Sequence, residues 1–508
     1  MKFKIKTNKK QIIILKISKL FTLAALTIML CFGTVLPIFA AGGEINASGT
    51  PQDPAVAVIT KILKMPSGTT TPTTEFTFDF EPISVHSDKT ESYTDDPVPN
   101  MPEIPSISVN FNANTQNEID PLTGGKYLIA DGIDNIKLGA GIKGVYQETD
   151  NILLESDGTT PIAWPKAGQY KYHLTEENAG TSEMIADSEK DDYTDEMTYS
   201  AALYEITVHV YNIDGDPDKG TYVAFVTVIR LFDDEGTEDE SGDKIDPTPG
   251  TSGNNHDYSQ LQFTNIYTKK TGKDDPTKSS DTVLEIGKKV MGDGSSVDKY
   301  FEFKINIINP MIGADPNAKY KAYVVEKVNS VDTVVTAAYN GSTSTGNGTL
   351  AAAGPDGHGN YIEFTPGETG KLDQTGQTVY LKHGQRLVFL DLQVGASFEV
   401  KEEGTGLYKA SYITSLNGGN PSSGGTTSSI NAIDFGVTLS IPSSQDPKVK
   451  YIGEKANSVA FTNTTSKIDV PTGISVDDLP YIVIIGLTLV SLAAFVTIIA
   501  RKNAKGVK

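Results

Sequence analysis

The chain has 508 residues, a formal charge of −21 and a single cysteine, Cys31. That length suits two to four domains. Removing the leader described next takes away the cysteine, so the exported part can form no disulfide. With the segment after Thr472 removed as well, the charge falls to about −30, the wrong sign for nucleic acid or an anionic membrane surface.

Residues 1–41 read as a signal peptide. Seven lysines lie between Lys2 and Lys19 with no acidic residue among them, an apolar run spans Leu20 to Phe39, and Ala40 and Ala41 suit cleavage. Cys31 follows Ile-Met-Leu, whereas a lipidated cysteine needs small residues there.

Residues 51–466 carry strand patterns almost throughout. "EFTFDF" (75–80), "QYKYHLTE" (169–176), "LYEITVHVYN" (203–212) and "TYVAFVTVIRLF" (221–232) are β-branched and aromatic, several with apolar and polar residues alternating. "YFEFKINI" (300–307), "YKAYVVEKV" (320–328), "RLVFLDL" (386–392) and "SFEVKEE" (397–403) continue the series after a polar break at 268–281. Long amphipathic helices are absent from the pattern, so the expected fold is all-β, built from sandwiches. Between strands, "NIDGDPDKG" (212–220) reads as a hairpin turn, because it lacks the glycine and closing glutamate of a calcium loop. "FDDEGTEDESGD" (232–243) reads as a solvated acidic loop and "NGGNPSSGGTTSS" (417–429) as a flexible excursion. The stretch from Ile83 to Pro165 gives no clear topology.

The break at 268–281 divides two units whose signals recur in the same order. The first opens with "VITKILKMPSG" and "EFTFDF", the second with "LEIGKKVMGDG" and "YFEFKI". Each has a late strand ending in glutamates, "YKYHLTEEN" or "FEVKEEG", and each closes with "FTN". The divisions are 1–41 signal peptide, 51–268 first sandwich, 269–281 linker, 282–466 second sandwich, and 467–508 sorting segment with an apolar span at 481–500.

Enzyme constellations are missing from the sequence. The six histidines have no metal-ligand spacing, and no phosphate loop, Gly-x-Ser-x-Gly elbow or exported cysteine is present, so neither metal nor cofactor is expected. Strand parity instead aims one Lys, one Glu and one Asn of each unit inward. Lys61 lies between Ile59 and Leu63, and Lys288 between Ile286 and Val290. Glu176 shares a face with Tyr170, Tyr172 and Leu174, and Glu402 with Phe398 and Val400. Asn265 shares one with Phe263, and Asn463 with Phe461. Lys64, Lys289, Glu177 and Glu403 fall on the opposite faces. Burial lowers a lysine pKa and raises a carboxyl pKa, which yields a neutral amine beside a protonated acid. Two readings follow: a buried ion pair with hydrogen bonds, or attack of the amine on the Asn carboxamide, with the acid polarising its oxygen and shuttling protons.

Those repeated motifs, "ITKIL…EFTFDF…YKYHLTE…FTN" and "IGKKV…YFEFKI…FEVKE…FTN", resemble the streptococcal pilin isopeptide-linkage domain family, in tandem as in a Gram-positive major pilin. The resemblance implies two tandem immunoglobulin-like β-sandwich domains, each with a self-generated Lys–Asn isopeptide bond. The bonds are Lys61–Asn265 promoted by Glu176 and Lys288–Asn463 promoted by Glu402.

The C-terminus has a matching logic. Tyr481 to Ala500 is an uncharged run long enough for one transmembrane helix, and Arg501, Lys502, Lys505 and Lys508 after it favour a cytoplasmic tail. Val470, Pro471, Thr472 and Gly473 before it resemble a sortase sorting signal of the Glu-Val-Pro-Thr-Gly variety, with Asp469 in place of Glu. The resemblance implies cleavage between Thr472 and Gly473. Thr472 is then transferred to peptidoglycan or to a lysine of a neighbouring pilin subunit. A Tyr-Pro-Lys-Asn acceptor motif is absent, and Lys244, the only lysine in the loop before the closing strand of the first unit, is the candidate acceptor. The expected protein is a wall-anchored pilus shaft subunit rather than a turnover enzyme, the alternatives being a singly anchored adhesin or stalk and a wall-tethered hydrolase.

Overall fold

The computed structural model describes residues 49–86, 101–115, 117–119, 125–129, 132–136, 138–139, 141–186, 194–239, 244–250, 257–270, 275–335, 359–403, 408–424, 437–441 and 451–465. The expected leader (1–41), sorting motif (470–473) and apolar span (481–500) lie outside the described residues. Among those described, no helix is long and apolar enough to cross a membrane.

Strands numbered in chain order build two successive sandwiches. In the first, one sheet runs β4 (Glu118–Ile119), β7 (Ile142–Glu148), β1 (Thr60–Pro66), β14 (Gln262–Lys269), β10 (Thr194–Thr198), β9 (Ser182–Ala186). Its partner runs β13 (Lys244–Ile245), β12 (Thr221–Phe232), β11 (Leu203–Asn212), β8 (Gly168–Glu176), β2 (Thr74–His86), β3 (Ile107–Phe111). A hairpin of β5 (Gly125–Ile129) and β6 (Gly132–Ile136) stands apart from both. The Ile83–Pro165 stretch thus supplies strands to both sheets of the sandwich.

The second sandwich has a larger sheet ordered β18 (Val331–Val334), β17 (Tyr320–Val328), β21 (Arg386–Phe389), β15 (Leu284–Met291), β26 (Asn457–Thr465), β23 (Tyr408–Ser415), β24 (Ser422–Gly424), with β19 (Ile362–Phe364) beside β17. The smaller sheet is β20 (Gln377–Leu381), β16 (Phe301–Ile308), β22 (Ser397–Glu402), β25 (Val437–Ile441).

Alternation explains the cores. Along β8 the inward set is Tyr170, Tyr172, Leu174 and Glu176, and along β15 it is Leu284, Ile286, Lys288 and Val290. Phe76, Phe78, Tyr172, Tyr204 and Phe263 meet between the first pair of sheets, and Phe301, Phe303, Phe389, Phe398 and Phe461 between the second. Each such side chain contributes about 1.5–3 kcal/mol on burial. β1 is buried on both faces, because Ile62 packs outward against Ile119, Leu138 and Tyr258.

Each sandwich lays its first strand beside its last, and both pairs are parallel. Lys61 stands opposite Phe263 and Leu63 opposite Asn265 in β1–β14, and Lys288 opposite Phe461 and Val290 opposite Asn463 in β15–β26.

Where the sandwiches meet, the Val394 N–H donates to the Lys269 carbonyl at 2.9 Å and the Thr70 N–H to Glu454 Oε1 at 2.7 Å. Gly395, at φ +83°, lets Pro66 approach so closely that a Cβ there would lie 2.2 Å from the proline's own Cβ. Residues 275–281 are turned and bonded rather than free, with Asp281 N–H donating to the Lys278 carbonyl. The 212–220 stretch is a tight connection of two single 3-10 turns between β11 and β12. Lys244 is exposed, but it sits in the two-residue edge strand β13 opposite Ile229 rather than in a loop.

Candidate functional site

Each core carries one buried cluster of three polar side chains. Lys61 comes from β1, Asn265 from β14 two positions further along the parallel register, and Glu176 from the end of β8 in the facing sheet. Lys288, Asn463 and Glu402 occupy the corresponding strands β15, β26 and β22 with the same offset. All six are at most 3% exposed. The six residues expected from the sequence are therefore assembled as two triads, while Lys289 is exposed and Lys64 lies on the other face.

In the first triad, Lys61 Nζ donates to Glu176 Oε2 at 2.6 Å and Asn265 Nδ2 donates to Glu176 Oε1 at 2.8 Å. In the second, Lys288 Nζ and Asn463 Nδ2 both donate to Glu402 Oε1, the lysine at 2.6 Å. The carboxyl thus touches both the amine and the carboxamide nitrogen. Aromatic rings from the second strand of each unit floor the amine. Lys61 Nζ lies 4.6 Å from the Phe76 ring centre, and Lys288 Nζ 4.1 Å from that of Phe301. The "EFTFDF" and "YFEFKI" motifs therefore supply the apolar wall that desolvates the lysine.

That wall governs the charges. Burial outweighs ion pairing and brings Lys61 and Lys288 each down to about 8. Burial likewise raises Glu176 and Glu402 above the ordinary carboxyl range, against the opposing pull of the lysine and asparagine in each triad. Both shifts favour the uncharged pair, a free amine beside a protonated acid.

The carboxamide oxygen shows what the sequence did not. Asn265 Oδ1 accepts the backbone N–H of Ser200 at 2.7 Å. Because an N–H can only donate, the oxygen must face Ser200 and the nitrogen Glu176. Polarisation of this oxygen, expected from the glutamic acid, comes instead from the main chain. Asp234, in the segment read as a solvated acidic loop, is half-buried and braces the arrangement: Oδ1 accepts from Ser200 Oγ at 2.6 Å and from the Thr264 N–H at 2.8 Å. In the second triad neither Asn463 Oδ1 nor Glu402 Oε2 has a hydrogen-bond partner among the described residues.

Comparison with known proteins adds the following. Residues 282–465, the second sandwich, match a family described as "Domain of unknown function (DUF7601)". The chain is similar to the crystal structure of the major pilin from Streptococcus pyogenes, with 16% identity over 81% of this chain and 99% of that one, at a TM-score of 0.27. It is also similar to the T3.2 major pilin of Streptococcus pyogenes serotype GAS13637, with 14% identity over 81% and 98% of the two chains and a TM-score of 0.24. The pilus-presented adhesin Spy0125 (Cpa) matches at 14% identity over 52% of this chain and 36% of its own, with a TM-score of 0.19. No curated protein matches the chain. At this level of superposition, the functional reading rests on the geometry of the two triads.

Proposed function

We propose that the protein is a cell-surface structural subunit that crosslinks itself, with Lys61 bonded to Asn265 and Lys288 to Asn463. The observation that carries this reading is the repetition of one buried Lys–Glu–Asn triad, at the same strand offset, between the first and last strands of two sandwiches. Neutral Lys Nζ attacks Asn Cγ. One Nζ proton passes through the glutamate to Nδ2, the Cγ–Nδ2 bond breaks, and ammonia leaves. The glutamate ends as it began, and the new amide replaces the old one, so nothing else is consumed.

Around that core, the exported chain is anchored or polymerised by sortase through Val470–Gly473, as a pilus shaft subunit. Its partners are neighbouring subunits or peptidoglycan, with the membrane holding the 481–500 helix before sorting. A stalk loaded lengthwise gains from covalent closure, because tension that enters one terminal strand and leaves by the other passes through the bond. The singly anchored adhesin remains the competing arrangement.

Intact mass tests the chemistry. Each bond removes one ammonia, so the chain should weigh about 34 Da less than its sequence, and Lys61→Ala or Lys288→Ala should each restore about 17 Da. Full sequence mass in the wild type would reduce both triads to buried ion pairs. Cell-wall extracts test the assembly: a high-mass ladder means a polymer, a single band one anchored copy.

A further inference from the structure

The two triads differ in which carboxyl oxygens they use and, more consequentially, at the oxygen that must carry charge when the amine adds to the carboxamide. β10 pairs with β14 only from Asp195–Lys269 to Thr198–Ile266 and then leaves the sheet. The departing segment turns the Ser200 N–H onto the Asn265 side chain instead of into the ladder. Asp234 holds that turn from three sides, through Ser200 Oγ, the Thr264 N–H and its own carbonyl, which accepts from the Ala201 N–H at 2.8 Å. In the second sandwich β23 stays paired with β26 from Tyr408–Thr465 to Ser415–Ser458, with Ala410 opposite Asn463, so the neighbouring strand does not leave the sheet beside the asparagine.

We infer that the Ser200 N–H is the oxyanion donor for closure of the first sandwich, that Asp234 is the residue positioning it, and that Lys61–Asn265 consequently forms faster than Lys288–Asn463. The inference rests on the self-crosslinking reading above. A fixed donor aimed at developing charge, in a site closed to water, needs no reorganisation during the reaction. In the second sandwich, Asn463 Oδ1 has no hydrogen-bond donor among the described residues, so no fixed N–H is aimed at the oxygen that develops charge.

The experiment is cell-free synthesis of the full chain, quenched at intervals and digested, with the branched peptides joining 61 to 265 and 288 to 463 quantified by mass spectrometry. The wild type should close the first bond sooner than the second. Ser200→Pro, which removes the N–H, and Asp234→Ala should each slow the first bond on the order of 10- to 100-fold and leave the second unchanged. Asp234→Asn keeps an acceptor for Thr264 and Ser200 and should recover most of the rate. This pair remains informative if Ser200→Pro fails to fold. Unchanged first-bond kinetics in both Ser200→Pro and Asp234→Ala overturn the inference, as do equal slowing of both bonds or an Asp234→Asn chain as slow as the Asp234→Ala one. Absence of both bonds from the wild type would instead overturn self-crosslinking itself, and the inference with it.

Discussion

The first and second sandwiches place the same three side chains at the same strand offset, but they are built differently around it. In the first, a strand lets go of the closing strand one residue before the asparagine, and a loop fills the gap with a main-chain donor. In the second, the neighbouring strand runs straight past, and the carboxamide oxygen and one carboxyl oxygen have no hydrogen-bond partner among the described residues. Parity and register thus set the triad, which can be repeated wherever a first strand lies parallel to a last one. Where the adjacent pairing stops sets the surroundings of the triad, and those can differ between copies.

The largest effect should come from removing the electrophile. Asn265→Ala and Asn463→Ala each leave an open loop, of 204 residues (265 − 61) and 175 residues (463 − 288) respectively. By the chain-entropy argument used for disulfides, each should lose about 5 kcal/mol, and the logarithmic dependence keeps the two losses within about 0.2 kcal/mol of each other. Calorimetry of the two variants checks this, and a clear inequality would show that strain or residual structure outweighs loop length. Next, Glu176→Gln and Glu402→Gln remove the proton shuttle and should slow their own bond about 100- to 10,000-fold. Some slow closure should survive in the first sandwich and none in the second; intact mass after prolonged incubation separates them.

A pH effect should follow in the Asn265→Ala chain, where amine and acid stay unbonded. An unfolded lysine takes up its proton near its ordinary value of 10.5, whereas buried Lys61 does so only near about 8. As pH falls through that window, the unfolded state binds the proton first, so stability should drop between about 10.5 and about 8 and then level. Glu176 acts in the opposite sense, since its raised pKa makes the folded acid lose its proton later than the unfolded one. Stability should therefore also fall as pH climbs from about 4.5. Urea melts across pH test both limbs, and a flat profile would mean that the pair is solvated. The smallest effect belongs to Lys64→Ala and Lys289→Ala, which should leave both bonds and their rates intact, with stability changes within about 0.5 kcal/mol.

How much of this was legible in the sequence follows from what each feature depends on. Lys61, Glu176 and Asn265 could be aimed inward by parity alone, because a strand's side chains alternate strictly and their same-face neighbours are apolar. The aromatic motifs could be read as strands, but their service as a floor for the amine depends on which strand lies across the core. Ser200 could not be found, because a backbone N–H is common to every residue but proline and its direction depends on where β10 leaves the sheet. Asp234 was hidden among acidic neighbours in a stretch whose composition says only that it is polar, and its role comes from meeting Thr264 and Ser200 in space. Lys244 was read as lying in a loop, and its pairing with β12 as a two-residue edge strand left no trace in the pattern.

Once residues 61 and 265 are bonded, the first sandwich is no longer a line of peptide bonds but a ring with two tails. Everything between them, including the turn at 212–220 and the acidic loop, is then a side branch of the route from N-terminus to C-terminus. A protease could cut such a loop once or many times and still leave the two tails joined through a single buried amide. Connectivity of the chain would thus depend on the short stretches outside the rings, the junction between the sandwiches foremost among them.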